Sequence, residues 1–302
     1  MDTIVGVDMA VAMAKAGSVA LYPRFTPPQI QAAEVKQVLD LGCFVVPSVG
    51  IKPGEIARAQ SLVNLGIKVL LVDVAHAYQQ TCLNFVKELK TKFPGVELIV
   101  GAAATYDTAK ALYQAGADTV RVGVGAGSIC ITRLVAGSGM PQITAIIECA
   151  RAAREFNRPL LADGGLKNSG DVVKALAAGA DTVSSGNLFA GAAETKGDLV
   201  EINGKPSKAY NGSTSLTEKQ RQVAQNPADK SVDYTQYVEG IERFVPLRGP
   251  VAGIISQLDK GIRSGLTYSG ARTIDELHQK AQFVQVTPSV IFENNHRDLT
   301  NF

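Results

Sequence analysis

The chain has 302 residues, 46% of them apolar, and a formal net charge of only +2 at pH 7. It can bury one large core, and a single domain of this length is ordinary for an α/β barrel. The near-neutral charge gives no general signal for nucleic acid or an acidic partner surface, and no apolar run of about 18 residues predicts a membrane span. We also expect no signal peptide, because the N-terminus lacks a basic region followed by an apolar core.

Short apolar, β-branched runs recur along the chain and predict seven β-strands. Helical stretches rich in Ala, Lys, Glu and Leu lie between most of them. In one such stretch we expect Thr26 to cap the helix, Pro27 to occupy its first turn and Gly42 to end it. Continuous apolar strands that alternate with helices predict a parallel sheet covered by helices. The predicted strands are Val19–Tyr22, Cys43–Val49, Val69–Val74, Val96–Val100, Thr119–Val124, Pro159–Ala162 and Thr182–Ser185.

This order of elements predicts an α/β fold, a (β/α)8 TIM barrel that lacks its first strand. The segments ADGG (162–165) and SSGNLF (184–189) both stand where predicted strands end, which a barrel explains better than an open sheet. The chain opens almost directly into the helical sequence VDMAVAMAKAG, so the missing strand would precede Met1. We interpret residues 1–302 as a single catalytic barrel domain.

Two segments interrupt the strand–helix rhythm: the long gap between the predicted strands that begin at Thr119 and Pro159, which contains Cys130, and the segment after Leu188. An Asn-Gly pair at 203–204 predicts a β-hairpin. The polar stretch that follows, about 213–238, is too polar for core and too long for a plain connector. It is typical of a functional flap, although on composition alone a disordered surface insertion is about equally expected.

Reactive and polar residues collect where the predicted strands end, which is where barrel enzymes carry out their chemistry. Ser128 and two late glycine-bearing turns would present backbone N–H groups to a phosphate. Asp163 could accept hydrogen bonds from a sugar diol, although Asp-Gly is also common in plain turns.

None of the four cysteines forms a C-x-x-C pair or a metal-ligand spacing with histidine, so we expect reduced thiols in a cytoplasm. We interpret Cys43, Cys82 and Cys149 as buried small apolar residues.

Several motifs together resemble the family of IMP dehydrogenase and GMP reductase. They are GAGSICITR (125–133), PQITA (141–145), ADGG, GDVVKALAAGAD (170–181) and GNLFAGAAET (186–195), and the resemblance runs from residue 1 to about residue 286. Dehydrogenases of the family usually carry a regulatory insert after the second barrel strand. Here LYPRF (21–25) runs straight into the next helix, as in the reductases.

The resemblance implies a set of functional residues. Cys130 would attack C2 of the purine, with Thr132 and Glu239 as catalytic partners, although a solvated surface charge is the default for a glutamate. A nicotinamide cofactor, NADPH or NAD(H), is implied at Asp73, Ala75, His76 and Arg121. A monovalent cation such as K⁺ is implied at the backbone carbonyls of Gly125, Gly127 and Cys130. The implied purine-nucleotide site comprises Ser128, Asp163, Gly164, Gly165, Gly186, Asn187, Tyr210, Gly212, Ser213 and Thr214.

The family contains two reactions, and the flap distinguishes them. Dehydrogenases oxidise IMP with NAD and activate water with an Arg-Tyr pair on the flap, and this chain has no Arg-Tyr dipeptide. The leading hypothesis is therefore NADPH-dependent reduction of GMP to IMP and ammonia. The second is an IMP dehydrogenase with another water activator. The resemblance further implies a homotetramer that uses GMP or IMP as small-molecule partners. From charge and hydropathy we expect neither nucleic acid nor a membrane as a partner.

Three positions depart from the family's usual pattern. Ala77 replaces a glycine, Ala102 replaces an asparagine that supports the nicotinamide site, and Asn187 replaces a serine in the second phosphate turn. Together with the missing strand, the two alanines motivate a third hypothesis, a purine-nucleotide-binding barrel without turnover. A flavin-binding barrel, which shares the late glycine turns, is a weaker fourth.

Overall fold

A computed structural model of the chain describes residues 1–225 and 235–290. In this part of the chain, no helix is both long and apolar enough to cross a membrane. The helices and strands are α1 (Val7–Lys15), β1 (Ala20–Tyr22), α2 (Pro28–Asp40), β2 (Val45–Val49), α3 (Glu55–Asn64), β3 (Val69–Asp73), α4 (Gln80–Lys92), β4 (Glu97–Ala103), α5 (Tyr106–Ala115), β5 (Thr119–Val122), α6 (Thr132–Val135), α7 (Gln142–Phe156), β6 (Leu160–Asp163), α8 (Ser169–Ala177), β7 (Thr182–Ser184), β8 (Leu199–Ile202), β9 (Lys205–Asn211), α9 (Leu216–Gln225), β10 (Glu242–Pro246), α10 (Val251–Tyr268) and α11 (Ile274–Lys280).

The seven predicted strands form one parallel sheet in the order β1 to β7, which confirms the barrel-like fold with one strand missing. Helices cover the outer face of the curled sheet, because each of the strands β1 to β6 is followed by a helical segment before the next strand begins. The register aligns Asp73 of β3 with Gly101 of β4, and Gly101 with Arg121 of β5. Polar residues at these strand ends are thereby brought to one level at one end of the barrel.

The sheet does not close, because β1 and β7 are its two edges. A cavity of about 730 Å³ lies between them and reaches from the barrel interior to Asp73, Arg121 and Asp163. In a complete (β/α)8 barrel, side chains fill this interior. The apolar part of the cavity wall includes Val46, Leu71, Ile99 and Leu161 from the sheet and Ile255, Leu258 and Ile262 from α10.

A second, antiparallel sheet follows the last barrel strand, in the order β10-β9-β8. Strands β8 and β9 form the predicted hairpin, in which Asn203 and Gly204 both have positive φ, 51° and 73°. The first part of the predicted flap forms the helix α9. Residues 226–234 of the flap lie outside the described residues. Tyr210 of β9 contacts Ser128 in the segment after β5, and Arg221 of α9 contacts Asp2, so both elements lie against the barrel.

The predicted start of the second helix is wrong by one residue. Pro27, not Thr26, is the N-cap of α2, and Pro28 is its first residue. Thr26 is buried, and its Oγ1 has no hydrogen-bond partner among the described residues. A second proline at the helix start moves the boundary, because proline fits the first helical position without losing a hydrogen bond. Gly42 follows the helix with φ of +69°, as predicted.

The close approach of β5 to β6 depends on a glycine. Gly123 has φ of +149°, and a Cβ added there would lie 2.0 Å from the backbone oxygen of Asp163. We expect Gly123→Ala to lower the free energy of unfolding by about 3 kcal/mol or more, since the backbone of β6 must move. Gly137→Ala is the matched control: Gly137 also has positive φ, +65°, but its Cβ would meet nothing within 4 Å.

The control should cost only about 1 kcal/mol, the strain of an L-residue in the left-handed region. Denaturant unfolding of both variants measures the difference. Equal losses would show that backbone conformation alone, and not the contact with Asp163, requires glycine at position 123.

Candidate active site

A largely buried guanidinium joins three strand ends at the polar end of the barrel. Arg121 on β5 contacts Asp73 of β3 through Nη2 at 2.5 Å and Asp163 of β6 through Nη1 at 3.1 Å. Arg24, which follows β1, donates from Nε to the backbone oxygen of Asp73 at 3.0 Å and lies 3.6 Å from its carboxylate. The positive charges of the two arginines thus balance the negative charges of the two aspartates in a site with little exposure to solvent.

The two aspartates respond differently to this arrangement. Burial raises the pKa of Asp73, but the guanidinium groups of Arg121 and Arg24 outweigh it and leave the pKa below its usual value. Burial also raises the pKa of Asp163, and Arg121 offsets this only in part because the Asp73 carboxylate adds repulsion. Asp73 is therefore held as an anion, whereas Asp163 takes up a proton at higher pH than an ordinary aspartate.

Residues predicted to bind phosphate lie together at the end of β7. The Ser128 hydroxyl is 3.3 Å from the hydroxyl of Tyr210 and donates to Oδ1 of Asn187 at 3.5 Å. A Cβ on Gly186 would lie 2.9 Å from the Tyr210 hydroxyl, so glycine is needed for this approach. Burial raises the pKa of Tyr210, which therefore stays a hydrogen-bond donor at neutral pH. Gly164 and Gly165, with φ of +83° and +76°, form the turn beside this cluster.

Cys130, Thr132 and Glu239 form a continuous chain of hydrogen bonds. The Cys130 thiol donates to Oγ1 of Thr132 at 3.1 Å, and the Thr132 hydroxyl donates to Oε2 of Glu239 at 2.6 Å. All three side chains are half-buried. Glu239 is therefore not the solvated surface charge that its residue type favours, and a proton can pass between the thiol and the carboxylate without a large movement.

Backbone pairing holds this chain of hydrogen bonds in place. Ile131 donates to the carbonyl of Glu239 at 2.8 Å, and Ile241 donates to the carbonyl of Ile129 at 3.0 Å. Glu239 in turn donates from its amide to the carbonyl of Thr214 at 3.3 Å. The predicted substrate segment Gly212–Thr214 therefore lies directly beside the segment that carries Glu239.

The predicted cofactor residues divide into an inner, charged pair and an outer pair. Asp73 and Arg121 belong to the charged centre, and Nε of Arg121 has no hydrogen-bond partner among the described residues. Ala75 is exposed and His76 is half-buried, and burial lowers the pKa of His76. The buried donor on Arg121 and the solvent-facing loop at Ala75 are compatible with a bound nicotinamide nucleotide.

The two alanines that depart from the family pattern lie side by side. Ala77 and Ala102 are both buried, and the amide of Ala77 donates to the carbonyl of Ala102 at 2.8 Å. The replacements at these two positions therefore affect one small region. Both side chains are methyl groups, so the lining of this region is apolar.

The cysteine loop also contains the carbonyls predicted to bind a monovalent cation. The carbonyl of Gly127 accepts a hydrogen bond from the amide of Cys130 at 3.2 Å. Among the described residues, the carbonyls of Gly125 and Cys130 accept no backbone hydrogen bond. Two of the three predicted oxygens are thus available to a cation, which is compatible with the prediction.

The other three cysteines are buried. Burial raises the pKa of Cys82 to about 11 and that of Cys149 to about 12, so both remain thiols at neutral pH. Cys130 differs from them in being half-buried and in contact with a hydroxyl.

Sequence reasoning missed three residues at the site. Arg24 supports Asp73, and Gln142 donates from Nε2 to the carbonyls of Val122 and Asp163 at 3.1 and 3.0 Å. The Sδ of Met1 lies 3.0 Å from the position of a Cβ on Gly186. The PQITA motif could have pointed to Gln142, whereas nothing in the local sequence distinguishes Arg24 or Met1.

Comparisons with known proteins agree on one family. A profile of the IMP dehydrogenase / GMP reductase domain matches residues 1–297. An inosine-5'-monophosphate dehydrogenase of Chlorobaculum parvum is 43% identical over 256 residues, 83% of this chain and 52% of that protein. A GMP reductase of Leishmania major is 41% identical over 265 residues, 85% of this chain and 53% of that protein. The chain spans about half the length of these relatives.

A solved structure matches the whole fold. The crystal structure of the C318A variant of GMP reductase from Trypanosoma brucei, in complex with guanosine 5'-monophosphate, has a TM-score of 0.92 to this chain at 28% sequence identity. The match covers 99% of this chain and 89% of that one. The protein, with its seven-stranded barrel and its cysteine loop, therefore belongs to the IMP dehydrogenase / GMP reductase family.

Proposed function

We propose that this protein reduces GMP to IMP and ammonia with NADPH, through a covalent bond between Cys130 and C2 of the purine. The observation that carries the proposal is the hydrogen-bonded chain from Cys130 through Thr132 to Glu239. This chain connects a nucleophile to a carboxylate that can store its proton and return it, which is what expulsion of an amine requires.

In the first step Cys130 loses its thiol proton and forms a bond to the purine. Sγ of Cys130 bonds to C2, its proton passes through Thr132 to Glu239, and the same pair returns a proton to the exocyclic amine. The C2–N bond then breaks and ammonia leaves. Bound NADPH, held by Asp73, Ala75, His76 and Arg121, would supply the hydride that reduces C2 as the C2–S bond breaks. The Cys130 sulfur would leave C2 as a thiolate and take a proton from solvent, so that GMP, NADPH and one proton give IMP, ammonia and NADP⁺.

The nucleotide would bind through the two clusters at the strand ends. The Asp163 carboxylate would accept hydrogen bonds from the ribose hydroxyls. The cluster of Ser128, Asn187 and Tyr210 would hold the phosphate, with backbone amides of Gly165 and Gly186 nearby. The segment Gly212–Thr214 would close over the substrate.

Oxidation of IMP to XMP with NAD is the second candidate, because several relatives at 43–45% identity carry the name of that enzyme. Hydrolysis of the covalent adduct needs a base that activates water. The sequence has no Arg-Tyr pair to do this. The Thr132–Glu239 pair suits the departure of ammonia without any further group.

Incubation with the two substrate pairs tests the direction of the reaction. We expect GMP with NADPH to give loss of absorbance at the reduced-cofactor band, with ammonia released in equal amount. Rapid IMP-dependent reduction of NAD with formation of XMP, and no ammonia from GMP, would favour the dehydrogenase. Nucleotide binding without either reaction would support the binding protein without turnover.

Two single substitutions test the proposed proton path. Cys130→Ala should abolish turnover and leave GMP affinity largely intact, because the thiol acts only in the covalent step. Glu239→Gln should slow ammonia release about 100-fold or more while Cys130 still reacts with iodoacetamide, since a general acid–base contributes about that much. Cys149→Ala is the matched cysteine control. Normal turnover in Cys130→Ala would contradict the assignment of the nucleophile.

Nucleotide affinity should depend on the protonation of Asp163. Only the carboxylate accepts hydrogen bonds from both ribose hydroxyls, and the pKa of Asp163 is raised. Affinity for GMP should therefore fall as the pH decreases from neutral toward about 4, and the fall should begin at higher pH than the ordinary aspartate pKa of about 4 would give.

Calorimetry on the wild type and on Asp163→Asn isolates this effect, because protonation of the GMP phosphate is common to both. The difference in GMP affinity between the two proteins should shrink as the pH falls. A difference that stays constant over this range would remove Asp163 from the ribose site.

A further inference from the structure

The helix α9 lies between the two parts of the candidate site that come from outside the barrel. It begins at Leu216, separated by one residue from the substrate segment Gly212–Thr214, and the chain returns from the flap at Glu239. The orientation of α9 therefore affects both the nucleotide loop and the carboxylate at the end of the proton path.

Side chains of α9 bind both of these segments. Gln222 donates from Nε2 to the carbonyl of Ser213 at 2.9 Å. The buried Lys219 donates from Nζ to the carbonyl of Tyr237, two residues before Glu239. At the start of the helix, the amide of Thr217 donates to Oε1 of Glu242 at 2.9 Å. Hydrogen bonds from α9 thus connect the segment that enters the flap, at Ser213, with the segment that leaves it, at Tyr237.

A buried carboxylate at the start of the chain anchors α9 to the barrel. The side chain of Asp2 is only 1% exposed, and Nη2 of Arg221 lies 3.3 Å from its Oδ1. Neither oxygen of Asp2 accepts a hydrogen bond from the described residues, so the charge of Arg221 is what stabilises this carboxylate. A carboxylate buried to this degree is strongly destabilising without a cation beside it.

The same arginine also serves a second buried acid. Nη1 of Arg221 lies 3.8 Å from Oε2 of Glu218, whose side chain is 4% exposed. Burial raises the pKa of Glu218, and Arg221 offsets this only in part. Removal of Arg221 would leave Asp2 without this ion pair, and Glu218 would keep only the hydrogen bond that Nδ2 of Asn211 donates to its Oε1 at 3.4 Å.

The residue next to Asp2 holds the other side of the same loop. Oγ1 of Thr3 accepts a hydrogen bond from the amide of Asn211 at 3.2 Å, and the carbonyl of Thr3 accepts one from the amide of Gly197 at 2.8 Å. Asn211 is the last residue of β9 and directly precedes Gly212. The substrate segment is therefore attached to the first turn of the chain at both its ends, through Thr3 and through Arg221 of α9.

We propose that Asp2 and Arg221 are positioning residues, an ion pair that holds α9 against the barrel so that the 212–214 segment and Glu239 stand at the substrate. The inference rests on the proposed function, since that function gives this segment and Glu239 their roles. Neither residue needs to touch the substrate. Their effect passes through Gln222 and Lys219 to the two arms of the flap.

Hydrogen exchange on the full chain without substrate tests the attachment directly. The amides to follow are those of Gly212, Ser215 and Glu239, each of which donates to a carbonyl within the loop. We expect Arg221→Met and Asp2→Asn each to raise their exchange rates about tenfold, with partial restoration in Arg221→Lys. The double variant should be no worse than the stronger single variant, because both remove one interaction.

Gln220→Ala is the matched control, since Gln220 is an exposed residue of the same helix. Amides of β5, far from α9 in the fold, report on global stability. Loop amides that stay protected in Arg221→Met, or that change only together with those of β5, would overturn the proposal.

Calorimetry then connects the attachment to binding. In Arg221→Met, affinity for GMP should fall about tenfold, a change of about 1.4 kcal/mol, while Gln220→Ala binds as the wild type. If exchange rises in the loop but GMP affinity is unchanged, the positioning role is wrong. A wild-type protein that binds neither GMP nor IMP would contradict the proposed function, and the exchange result would still decide whether Asp2 and Arg221 hold the loop.

Discussion

One guanidinium determines how the polar end of this barrel is built. Arg121 on β5 binds Asp73 at the end of β3 and Asp163 at the end of β6. A buried charge of this kind must be paired, so the three strands have to end at one level. Gly101 permits this on the intervening strand, because a Cβ there would lie 2.5 Å from the backbone oxygen of Arg121. The pairing also gives the two aspartates different pKa values: that of Asp73 is lowered, so it stays an anion, and that of Asp163 is raised.

The two edge strands of the open sheet, β1 and β7, do not carry the ion pairs of this charged centre. The cavity between β1 and β7 reaches Asp73, Arg121 and Asp163, yet every ion pair among them joins strands on the intact side. Arg24, which follows β1, adds a second cation at the edge. The strands that carry these ion pairs, β3, β5 and β6, each have a neighbour on both sides. The geometry of the charged centre therefore does not depend on the missing strand.

The proton path is assembled from segments that are far apart in sequence. Cys130 and Thr132 come from the loop after β5, whereas Glu239 returns from the flap more than a hundred residues later, a separation of 107 from Thr132. Backbone pairing of Ile131 with Glu239 brings them together. Because that pairing continues through Thr214 into α9, the chemistry depends on contacts that lie well outside the barrel interior.

The sequence by itself determined the seven strands, the hairpin at Asn203–Gly204 and the location of Cys130 in a glycine-rich loop. These features depend on local periodicity, on glycine at positive φ and on contiguous motifs. Tertiary structure alone decided that Glu239 is hydrogen-bonded, that Thr26 does not cap its helix and that Asp2 meets Arg221. Such contacts join residues from distant parts of the chain or depend on burial. A local sequence pattern does not specify which distant residue will lie beside a given charged side chain in the folded protein.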